Sequence, residues 1–98
     1  MAGKHFIIEY SDNGDLATRD QHRAAHVGYR IALGEALMLA GPLLDDAGKA
    51  IGSLIVLKAE SPEAASEVAT QDPLVLAGLL SLVSIRPYRV AAILGRQP

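Results

Sequence analysis

The chain has 98 residues and a formal charge of −2, with acidic and basic residues mixed along it. It lacks the basic stripe that nucleic-acid binding requires, so partners of that class are excluded. Cysteine is absent, which removes disulfides, thiolate nucleophiles and thiolate metal sites and fits a reducing compartment.

Half of the residues are hydrophobic, but the aromatic ones are confined to Phe6, Tyr10, Tyr29 and Tyr88. The core is therefore expected from Ala, Leu, Val and Ile. The apolar load is high for one small domain spanning residues 1–98, and part of it is expected in an oligomer interface. The first residues carry no long apolar core of a signal peptide. The longest nearly apolar run, residues 73–85, is broken by Gly78, Ser81 and Ser84 and is shorter than the roughly 20 residues of a membrane span. The expectation is a soluble, cytoplasmic protein without a membrane partner.

Residues 4–10 read as a strand, rich in β-branched and aromatic side chains and closed by Ser11-Asp12-Asn13-Gly14. Phe6, Ile8 and Tyr10 share one face and His5, Ile7 and Glu9 the other, the pattern of a central strand covered on both sides. Residues 15–33 are helical in composition, with turn or cap chemistry from Asp12 and Asn13. A single straight helix would bury the stripe Ala24, Val27, Gly28 and Ile31. It would leave His26 on the opposite side among Arg19, His22, Arg23 and Arg30.

The apolar run of residues 37–44 fits helix or strand by periodicity, and Pro42 restricts a strand there to an edge or a bulge. Residues 45–49 have hairpin-loop composition. Residues 51–59 form a second clear strand, with Leu54, Val56 and Lys58 on one face and Ile55 and Leu57 on the other. Ser61-Pro62-Glu63 begins a helix to about Thr70: a cap hydroxyl, a proline at the first position and an acid in the first turn. Asp72-Pro73 repeats that grammar and opens a short helix through about Gly78. Residues 81–94 close as a strand with Pro87 marking an exposed edge or a break. The order β-α-β-β-α-β is the split βαβ arrangement, an α+β ferredoxin-like fold with an antiparallel sheet.

Four short motifs stand in order: Arg23-Ala24-Ala25-His26, Gly41-Pro42-Leu43-Leu44, Gly52-Ser53 and Asp72-Pro73. As an ordered set they resemble the YCII-related family, and the likeness runs from about His5 to Val90. The resemblance implies the same ferredoxin-like fold and two copies paired sheet to sheet, a homodimer of the dimeric α+β barrel type. It also implies a His-Asp dyad of His26 and Asp72, with Arg23 as the Arg of the Arg-x-x-His motif. Proline is common in that family where Ala24 stands here; a break near Arg23 would then place His26 in the first turn of a second helix. An aromatic residue is frequent where Leu74 follows the Asp-Pro, a change that alters pocket shape.

Each candidate has a plainer alternative. A histidine on a basic helix face is commonly solvated, whereas a neutral imidazole is a competent general base. Asp72 is a standard N-cap, and a carboxylate fixed there is also placed to orient a histidine. Arg23 reads as a substrate-binding guanidinium or a solvated charge, and Ser53 as a pocket hydroxyl or a hairpin serine. His22 and His26 have metal-ligand spacing, but the zincin glutamate and a third ligand are missing, so no metal is expected. Asp45, Asp46 and Gly48 lack the later ligands of a calcium loop. Gly41, Pro42 and Gly52 read as turn geometry.

The resemblance implies a cofactor-independent lyase or isomerase acting on a small aromatic or anionic molecule, dehydrochlorination included. The rival reading is a non-catalytic dimeric module that binds a small ligand or assembles. A third is an oxygenase-like member of the wider barrel fold.

Overall fold

The computed structural model describes residues 4–14 and 16–97. Strand β1 (Lys4–Asp12) leads into two short helices, α1 (Leu16–Gln21) and α2 (Arg23–Ala32), and a 3-10 turn (Gly34–Ala36). Strands β2 (Leu37–Leu44) and β3 (Ala50–Ala59) follow, then helices α3 (Pro62–Thr70) and α4 (Pro73–Leu76) and strand β4 (Leu80–Tyr88). The strands form one sheet in the order β2-β3-β1-β4, with every neighbouring pair antiparallel. This is the expected ferredoxin-like α+β fold.

Alternation along β1 builds the core. Phe6, Ile8 and Tyr10 are buried and pair with Leu57, Ile55 and Ser53 of β3. Ala65 and Ala69 of α3, Leu74 of α4, Leu79 and Leu80 pack with them. The two strands that contain proline are the sheet's edges: Pro42 in β2 and Pro87 in β4. An edge tolerates the missing N–H that a central strand cannot. The ambiguous run 37–44 is thus a strand, and residues 45–49 turn it back. Gly48 N–H bonds to the Asp45 carbonyl, and Asp45 Oδ1 accepts from the N–H groups of Ala47 and Lys49.

Three expectations need correction. β4 ends at Tyr88 rather than near Leu94; beyond it lies an isolated bridge between Ile93 and Arg96. β1 is central, but its second face, with His5, Ile7 and Glu9, stays only partly buried, because the helical core residues pack against the Phe6 face. Gly41 and Pro42 lie within β2 and Gly52 within β3 rather than in turns, and a Cβ on Gly52 would sit 2.3 Å from the Tyr10 carbonyl oxygen. Close backbone approach is what requires glycine at this position.

The region 16–32 is two helices, not one. His22 is the N-cap residue of α2, without a side-chain cap, and its N–H bonds back to Arg19. The break lies one residue before Arg23, and His26 closes the first turn through its N–H to the His22 carbonyl at 3.0 Å. The broken-helix alternative therefore holds without the proline. It also turns α2 around: Val27 is 45% and Ile31 73% exposed, while His26, Tyr29 and Arg30 face inward. No helix among the described residues is long and apolar enough to cross a membrane.

Candidate functional site

The inward face of α2 meets the α3–α4 junction. Asp72 is 2% exposed and is the N-cap of α4, where Oδ1 accepts the Leu74 N–H at 2.9 Å. Both its oxygens also face His26 Nδ1, at 2.8 and 3.0 Å. Arg30, one turn after His26 on the same face, brings Nε to 3.6 Å from Oδ2. Cap and histidine partner are thus one carboxylate, as the Asp-Pro spacing allowed.

A buried carboxylate is costly unless it is hydrogen-bonded. Burial alone raises the Asp72 pKa. The His26 hydrogen bond, the Leu74 N–H and the neighbouring His26 and Arg30 outweigh it, and the net lies below the ordinary carboxylate value. Asp72 is therefore ionised and accepts only, so Nδ1 of His26 carries the proton. Nε2 makes no hydrogen bond within the described residues and, in the neutral ring, keeps its lone pair.

His26 borders a cavity of about 300 Å³ whose wall also includes Arg19, Arg23, Arg30, Gly41, Ser53 and Leu74. Of the residues singled out in the sequence, His26, Arg23 and Ser53 line this space and Asp72 stands behind His26. Ser53 is buried and sits 3.4 Å from both an Arg30 nitrogen and the Gly41 carbonyl. Arg23 is the most solvated of them, with a 3.4 Å contact to Asp20. Of the three guanidiniums on this wall, Arg19 is paired with Asp12 at 2.8 Å and Arg30 lies 3.6 Å from Asp72, so Arg23 is the one most open to an anionic ligand.

Sequence reasoning missed Arg30 as a site residue. The signal was its position four residues after His26, on one helix face; the apolar stripe on the other side of α2 pointed that face outward. Tyr10 and Tyr29 were missed as supports. Their hydroxyls donate to the carbonyls of Ala69 and Val68 at 3.0 and 2.7 Å. Burial first, then the Asp72 charge, pushes both phenol pKa values up. Among the described residues no three His, Cys, Asp or Glu side chains come together as a metal-binding group.

The sequence profile of the YCII-related domain family matches residues 4–89, and the chain belongs to that family. Among solved structures it is similar to 5-chloro-2-hydroxyhydroquinone dehydrochlorinase (TftG) from Burkholderia phenoliruptrix AC1100, determined in complex with 2,5-dihydroxybenzoquinone. The TM-score is 0.75 at 27% identity, covering 87% of this chain and 93% of that one. No curated protein sequence matches.

Proposed function

We propose that this YCII-related chain is a small, cofactor-independent lyase or isomerase in which His26 is the general base and Asp72 orients it. The observation that carries the reading is the His26–Asp72 hydrogen bond at 2.8 Å behind a cavity walled by arginines. Asp72 holds the proton on Nδ1 and so aims the lone pair of Nε2 toward a ligand. Arg23, Arg30 and Ser53 bind the anion that deprotonation leaves. A histidine base supplies about 10²–10⁴-fold, so the substrate is an already acidic small aromatic or enolic molecule.

The chemistry needs no oxidant. Nε2 takes a proton from the substrate, and the electron pair enters the ring system. Where a halide stands on that ring, the proton is delivered to the carbon that bears it, and loss of a second hydroxyl proton then expels chloride from that now saturated carbon, a net elimination of HCl. Where none does, the proton returns at another carbon and the product is an isomer. The likeness to a dehydrochlorinase supports the first course. The test is chloride release from chlorinated hydroquinols: turnover by the wild type that falls at least 10²-fold in His26→Ala supports the reading, and equal rates in both overturn it.

We further infer that the protein is cytoplasmic and works as a homodimer paired through the open sheet face. Ile7, Leu39, Leu54 and Val56 share that face by register, and Leu39 is 51% exposed. An apolar sheet face of this kind is a protein–protein surface. Sedimentation at a monomer mass, at micromolar concentration, would overturn the dimer.

A further inference from the structure

Beside the His26 cavity lies a second, wider recess of about 690 Å³, lined by Asp12, Gly14, Arg19, Arg23, Lys49, Ala50 and Ile51. Arg19 and Arg23 belong to both walls, so the two spaces adjoin along one arginine pair. The recess draws its cations from α1, α2 and the β2–β3 hairpin, which no local sequence feature would bring together.

These cations are unequally engaged. Arg19 is committed to Asp12 at 2.8 Å, which accounts for the one carboxylate on this wall. Arg23 has only its 3.4 Å contact with Asp20, both side chains being mostly exposed. The Lys49 ammonium makes no ion pair among the described residues; its residue is held by the backbone, through Lys49 N–H to Asp45 at 2.9 Å. Lys49 thus carries a charge that is unpaired among the described residues, on a recess that opens beside His26.

We infer that the recess is a subsite for a second anionic group on the substrate: a carboxylate arm carried on the ring whose acidic proton His26 removes. Cations lining a pocket beside a reacting centre recognise anionic oxygens by charge-assisted hydrogen bonds. The His26 cavity, about 300 Å³, has room for more than a ring, and it adjoins the recess along Arg19 and Arg23, so an acidic arm on the ring extends toward the Arg23–Lys49 side. The ligand class is therefore a monocyclic phenolic acid rather than a bare hydroquinol. This assignment rests on the His26 reading for which part of the ligand reacts, but the carboxylate subsite is tested by binding alone.

The experiment is a chemical-shift titration with three probes sharing one ring: hydroquinone, 3-(2,5-dihydroxyphenyl)propanoate and its neutral carboxamide. The wild type is expected to bind the carboxylate roughly threefold to tenfold more tightly than the carboxamide, the range of one or two partly exposed ion pairs. Lys49→Ala should erase most of that preference while hydroquinone affinity holds, and Lys49→Arg should keep it. Lys49 is exposed and its stabilising contact is a backbone one, so the variant folds. No carboxylate preference in the wild type, a preference that survives Lys49→Ala, or no binding of any probe overturns the subsite. His26→Ala separates the two ideas: a preference that persists there, with turnover unchanged, sinks the general base and leaves the subsite standing.

Discussion

The Tyr29 hydroxyl donates to the Val68 carbonyl at 2.7 Å, tying the inward face of α2 to the last turn of α3. Three residues earlier on the same face is His26, and four residues after Val68 is Asp72. The tyrosine bond therefore sets the distance across which the His26–Asp72 hydrogen bond forms. Tyr29→Phe should cost about 0.5–1.5 kcal/mol, the net worth of one such bond, read as a lower urea midpoint with an unchanged slope. If Tyr29 is also a positioning residue, turnover falls through kcat with little change in KM. A loss of stability without any change in kcat would confine it to the fold.

The two phenols give the stability profile an alkaline limb. Burial, the largest cause, and then the Asp72 charge raise the Tyr10 and Tyr29 pKa values in the folded chain. A raised pKa contributes stability that is fully present below the unfolded value of about 10 and is lost as pH rises through the folded one. Stability should therefore fall above about pH 10, and less steeply in Tyr29→Phe than in the wild type. Equal slopes in urea melts across that range would mean that Tyr29 ionises as freely folded as unfolded.

Asp72 gives the acid limb with the opposite sign. Its folded pKa is depressed, so its contribution is fully present above the unfolded value of about 3.9 and is lost as pH falls through the lower folded value. Asparagine is as good an N-cap as aspartate. Asp72→Asn thus keeps the cap on Leu74 and removes the charge facing His26 and Arg30. It should cost about 1–3 kcal/mol at pH 7, with the difference from wild type shrinking as pH is lowered below about 4. A difference that stays constant into acid would assign the loss to packing.

Gly52→Ala tests the backbone crossing beneath the cavity. The added Cβ would stand 2.3 Å from the Tyr10 carbonyl oxygen, a backbone atom in the central strand that cannot swing aside. Overpacking of this kind costs about 1–3 kcal/mol or more, which for a domain of this size lowers Tm by roughly 4–8 °C per kcal/mol. An unchanged Tm would show that β1 and β3 can part locally without cost.

Much of this was legible in the residues. Ser61-Pro62 and Asp72-Pro73 announced two helix starts, and both side chains accept the expected backbone N–H. Pro42, read as an edge or a bulge, and Pro87, read as an exposed edge or a break, both lie on edge strands, where a missing donor is tolerated. What misled was the hydrophobic stripe of α2, since periodicity reports which face is apolar and not which face is inward. Here the polar face wins the interior because Tyr29 finds the Val68 carbonyl there and His26 and Arg30 the buried Asp72 carboxylate, a tertiary fact no local window contains. The 3-10 turn before β2 was missed for a related reason: it carries no cap side chain.

That reversal is open to a direct test at Ile31, which a straight amphipathic helix would bury and which the structure leaves 73% exposed. Ile31→Lys should change stability by no more than about 0.5 kcal/mol, as surface substitutions do. Burying a lysine in a core would cost several times that. A loss that depends on protein concentration would instead mark the outer face of α2 as covered by a second copy, because only an interface ties stability to mass action. A large loss independent of concentration would return Ile31 to the core, and His26 could not then face Asp72 from the same helix.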